Sequence, residues 1–73
     1  MARERVFRHD RLLKLLQSTD MKQEDFAAFL GMDQPQFNRY INEVAEPTSA
    51  IVVRMAKKLN VTTDYLLGLS NEP

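Results

Sequence analysis

Apolar residues recur along this chain at helical spacing, in short blocks set apart by polar punctuation. From Arg8 to Gln17, Leu12, Leu15 and Leu16 share one face with Leu13 beside them, which predicts a first helix. Over Lys22–Leu30, Phe26, Ala27 and Leu30 fall at i, i+1 and i+4 and predict a second. Over Gln34–Asn42, Phe37, Tyr40 and Ile41 form a third stripe, which Val44 would extend by a turn. Val52, Met55, Ala56 and Leu59 give a fourth helix over Ser49–Leu59, with Ile51 and Val53 off its inward stripe. A short last helix is predicted over Asp64–Leu67, ending at Gly68. No sheet is expected. The predicted fold is all-α, a compact domain of five helices around one core.

The residues between the stripes support these boundaries. Gly31 stands where a helix takes a left-handed residue without a Cβ, and Met32 can pack beneath the turn. Asp33 is a good N-cap, Gln36 three residues on allows a capping box, and Pro35 is tolerated in a first helical turn. Asp20 with Gln23 offers a capping pair for the second helix, and Thr48 or Ser49 caps the fourth. Asn60 tolerates the left-handed conformation, and Thr62 or Thr63 caps the last helix. Two helices joined by a short turn containing glycine make a helix-turn-helix pattern.

Gln23–Asn42 resembles the DNA-binding unit of the Cro and phage-repressor (XRE-type) family. The family's apolar positions carry Phe26, Leu30, Met32, Phe37 and Tyr40, its small contact residue is Ala27, and its turn glycine is Gly31. Beyond that unit, Pro47 precedes the fourth helix, Met55, Ala56 and Leu59 hold core positions, and Val61–Gly68 (VTTDYLLG) is similar to the closing motif. The likeness runs from about Arg11 to Leu69. It implies a repressor-like domain over 8–70 that binds double-stranded DNA sequence-specifically as a transcriptional regulator, paired two-fold on a palindromic site. By the same resemblance Gln34, Pro35, Asn38 and Arg39 read bases, and Gln23 and Asn42 contact phosphate. Their chemistry suits those tasks: Gln and Asn pair with adenine, Arg with guanine, and a Pro ring can touch a thymine methyl. The free N–H groups and positive dipole end at the start of helix two favour the backbone contact.

Residues 1–7 read as a flexible basic arm, with Arg3 and Arg5 placed to reach the DNA backbone or a minor groove, and 71–73 as a tail. Departures from the family pattern are specific. Lys22 stands where Ser or Thr is usual, Glu43 where glycine is common, and Ala28 and Phe29 where polar residues are usual. Phe29 is expected to be partly packed. Leu16 and Ile41 replace an arginine and an acid that often form a buried ion pair. Exchanging both partners for aliphatic side chains leaves no unpaired charge, so these two residues are expected to touch.

Composition narrows the function. Seventy-three residues make one small domain, close to the size where a single core is marginal, and the 44% hydrophobic content suffices for a helical core. The absence of cysteine removes disulfides and thiolate metal sites. His9 is the only histidine and is expected at an exposed helix start. With no glycine-rich phosphate loop and little volume for a cleft, no enzyme, cofactor or small-molecule site is expected. No apolar run reaches membrane-spanning length and no signal-peptide core precedes the domain, so the cytoplasm is the expected compartment.

Charge changes the picture more. Residues 1–19 carry five cations against two acids, residues 20–46 two against six, and residues 47–59 three against none. The expected DNA-reading unit is therefore acidic between basic flanks, and its nonspecific affinity should be modest. That balance favours one rival, a protein-interaction module on the same fold with Phe29, Ile51 and Val53 as contacts.

Overall fold

The structure, a computed structural model, describes residues 6–73. Five helices follow one another: α1 His9–Gln17, α2 Gln23–Phe29, α3 Gln34–Ile41, α4 Ser49–Leu59 and α5 Thr63–Leu66. No strand occurs among the described residues. Helix α1 packs on α3 and α5, α2 on α3, and α4 on α5. The apolar stripes converge on one core, in which Leu12, Phe26, Leu30, Phe37, Met55 and Leu66 are fully buried. Each such side chain contributes about 1.5–3 kcal/mol relative to exposure, which is how so short a chain offsets its ordering entropy.

Caps explain where the helices begin. Asp33 accepts from the Gln36 N–H at 2.9 Å, Thr48 from Ile51 at 3.4 Å, and Thr62 from Tyr65 at 3.0 Å. The capping box of α3 is only half made, because Gln36 Nε2 turns to the Tyr40 hydroxyl at 3.1 Å. The Asp20–Gln23 pair expected for α2 does not form. Lys22 is its N-cap and has no side-chain acceptor to offer.

Left-handed residues set where α2 to α5 end. After α2, Gly31 (φ +79°) donates to Ala28 and Met32 to Ala27, both at 3.0 Å, which satisfies two terminal carbonyls in a Schellman turn. Met32 is buried beneath that turn, as its position predicts. After α3 the same geometry recurs at Glu43 (φ +61°), with Glu43 donating to Tyr40 and Val44 to Arg39. A side chain in that conformation costs about 1–2 kcal/mol that glycine avoids. The turn also corrects the sequence reading of Val44, which leaves the stripe and is 63% exposed.

Two N-terminal residues behave otherwise than the sequence suggests. Phe7, assigned to the arm, is a core residue, and the N–H groups of Val6 and Phe7 both donate to Glu46 Oε1 at 2.7 Å. His9, expected in solvent, is buried. Its Nδ1 meets the carbonyl of Tyr40, an acceptor only, so that nitrogen carries the proton. Its ring stands edge-on to Phe7. His9 thus ties α1 to the last turn of α3. Arg11 is buried too, and reaches across to the chain's end.

Leu16 and Ile41 are both half-buried and packed against the core on the neighbouring helices α1 and α3. A double-mutant cycle of Leu16→Ala and Ile41→Ala is expected to show coupling above about 0.5 kcal/mol. Strict additivity would mean that each side chain meets other neighbours.

Candidate nucleic-acid interface

Helix α3 owes its orientation to its inner face. Phe37 lies fully buried against Phe26 of α2, ring centroids 5.5 Å apart and tilted by 57°. Tyr40 is buried one turn later, and its carbonyl is held by His9 from α1. With those positions fixed inward, helical geometry turns the opposite face of α3 outward. Gln34, Pro35 and Arg39 are exposed, and Asn38 is half-buried between the two faces. The buried Oδ1 of Asn38 accepts no hydrogen bond from the described residues. Asn42, the C-cap of α3, is exposed at its far end, and Gln23 opens α2 half-buried.

The turn between the two helices is braced from α4. Arg54 Nη1 approaches the Gly31 carbonyl at 3.4 Å, and its aliphatic stem lies 3.7 Å from where a Gly31 Cβ would be. That distance is ordinary van der Waals contact, so the backbone angle, rather than space, calls for glycine here.

Charge at the amino end is less available than the sequence implies. Arg8 chelates Asp10 with contacts of 2.9 and 2.7 Å. The hydrogen bond from Arg8 holds the Asp10 carboxyl below its usual value, against a smaller opposing effect of burial. The contribution of this exposed pair to stability is therefore present above the ordinary carboxylate range and lost as pH falls below it. Arg11 spends its charge on backbone carbonyls. Arg3 and Arg5, expected as arm contacts, lie outside the described residues. The signal for the inward residues was present but weak: His9 stands three positions before Leu12, on the same helical face.

An apolar groove of about 380 Å³ lies elsewhere on the molecule, with Phe7, Pro47, Val53 and Leu67 in its wall. None of the outward residues of α3 lines it. No group of His, Asp or Glu among the described residues could hold a metal ion, and no helix there is long and apolar enough to cross a membrane.

A helix-turn-helix family model matches residues 12–66, a span running from the first core leucine of α1 to the last buried residue of α5. No curated protein and no solved structure matches the chain. The family is one of DNA-binding regulatory domains, which makes DNA the partner. The chain belongs to the Cro and phage-repressor (XRE-type) helix-turn-helix family of DNA-binding transcription regulators.

Proposed function

We propose that this protein reads double-stranded DNA sequence-specifically, in the manner of a repressor, by laying the outer face of α3 in the major groove. The carrying observation is the division of α3 into a fully anchored apolar face and a polar face that exposes Gln34, Pro35 and Arg39. A helix fits the major groove, where every base pair shows a distinct pattern of donors, acceptors and methyl groups. Gln34, Pro35, Asn38 and Arg39 are the base-reading residues in this account. Gln23 and Asn42, at opposite ends of the unit, contact phosphate and fix its register. Arg3 and Arg5 add backbone or minor-groove contacts.

One such helix covers only a few base pairs, and the acidic unit that carries it limits phosphate attraction. The protein therefore binds as a two-fold pair on a palindromic site, which doubles the contacts without added charge per copy. The cytoplasm is the compartment that suits this role.

Roles are separated by two substitutions. Arg39→Ala is expected to relax preference at one or two positions per half-site, at roughly 1–3 kcal/mol. Gln23→Ala should weaken all sequences about equally, because a phosphate contact positions without reading. Competition binding against a panel of single-base operator variants measures both. The same selectivity profile for the two variants would overturn the assignment, as would binding to mixed-sequence DNA whose log K does not fall with log salt.

A further inference from the structure

Along the outer side of α3, Gln34, Asn38 and the C-cap Asn42 follow at four-residue intervals, one above the other on a single ridge. The residues at its two ends are exposed. Asn38 between them is half-buried, one position after the fully buried Phe37 and one turn before Ile41, which packs against the core. The two polar atoms of its amide differ. Oδ1 is buried and accepts no hydrogen bond from the described residues, whereas Nδ2 reaches solvent and donates to none of them.

An acceptor shut away from water without a donor is a condition that folded proteins mostly avoid. Turning the amide over would put two N–H donors where the single oxygen lies. Buried donors without partners are rarer still than under-satisfied oxygens. The amide is therefore held with its oxygen inward, and Asn38 offers the outside a pair of N–H donors and no acceptor. Gln34 differs, because its exposed amide can turn either atom outward.

We propose that Asn38 reads a keto base, guanine or thymine, and rejects adenine and cytosine at the position it meets. The inference rests on α3 lying in the major groove. There guanine presents N7 and O6 as acceptors and thymine presents O4, and an outward N–H can meet each of them. Adenine and cytosine place an amino group on the same edge, at N6 or N4, which needs an acceptor. The pairing with adenine that an asparagine suggests by its type uses both amide atoms, oxygen to the N6 amino group and nitrogen to N7. With Oδ1 turned into the protein, half of that pairing is missing. Adenine keeps its N7 acceptor, but its amino group then lies against a second donor. Half-burial also orders the side chain before DNA arrives, so little entropy is lost when the contact forms.

Competition binding tests this on a duplex selected by the chain from a random pool, with each of the four bases then placed in turn at every position. The wild type is expected to show a position in each half-site where guanine and thymine bind about fivefold or more tighter than adenine and cytosine. Asn38→Ala should level that position and keep the preference that Arg39→Ala loses. An Asn38-dependent position that favours adenine or cytosine overturns the proposal and leaves groove reading by α3 standing. So does an Asn38→Ala chain with an unchanged profile. A pool without preference at any position overturns both. The free chain gives an independent check, because Asn38→Ala removes an unmatched acceptor and its melting midpoint should not fall below that of the wild type. A fall of more than about 4 °C would mean that Oδ1 is hydrogen-bonded in the folded chain, and would overturn the inward placement on which the proposal stands.

Discussion

Phe37→Ala is expected to cost on the order of 3–5 kcal/mol and leave most of the chain unfolded at 25 °C. The side chain is fully buried, stacks obliquely on Phe26 and joins α3 to α2. Truncation removes its transfer free energy and opens a cavity between two helices whose packing cannot fully collapse. A domain of 73 residues has roughly 4–11 kcal/mol of total stability at the usual value per residue, so this one change consumes much or all of it. Urea denaturation followed by far-ultraviolet circular dichroism measures the loss. A midpoint within experimental error of the wild type would mean that α3 is held by something other than this junction. Phe37→Leu should recover more than half of the lost stability, because it refills most of the volume.

Arg11→Met should be the next most damaging change, at about 2–4 kcal/mol. Arg11 Nη1 donates to the carbonyls of Tyr65 and Ser70, both at 2.5 Å, and Nη2 to Asn71 Oδ1 at 2.8 Å. The guanidinium also covers the Tyr65 ring, 4.4 Å from its centroid. Hydrogen bonds to a charged donor contribute about 1.5–3 kcal/mol each and do not add fully within one cluster. Methionine keeps the apolar stem but leaves those acceptors unmatched. Arg11→Lys should restore less than half, because an ammonium lacks the planar fork that spans three acceptors. Faster amide exchange confined to residues 66–71 would accompany the loss. A variant within about 0.5 kcal/mol of wild type would show that solvent satisfies those carbonyls equally well.

The contrast between these two residues explains what the sequence could disclose. Phe37 belongs to a stripe with Tyr40 and Ile41, and a period of 3.6 residues declares its inward role without knowledge of any partner. Gly31 and Asp33 are equally legible, since a left-handed turn and an N-cap are local events. The outward face of α3 follows as the complement of the stripe, and so Gln34, Pro35 and Arg39 fell where the pattern put them. Arg11 enters the sequence reading only as one of five amino-terminal cations, because its acceptors lie more than fifty residues away in sequence. His9 has the same history, with its partner on α3. Both bind main-chain carbonyls, which every residue possesses and which leave no mark in a sequence. Phe7 was lost to the arm because one aromatic among charges shows no periodicity, although Glu46 holds the backbone that buries it. Val44 failed for a local reason: the left-handed Glu43 ends the helix before the stripe reaches it.

Selection of bound duplexes from a random pool by this chain tests the central claim most directly. The account predicts convergence on a palindrome whose half-sites lie about one helical turn apart, with the Arg39→Ala chain selecting the same spacing but tolerating other bases at one or two positions in each half. A pool that stays random while binding rises and falls only with salt would contradict sequence reading by α3.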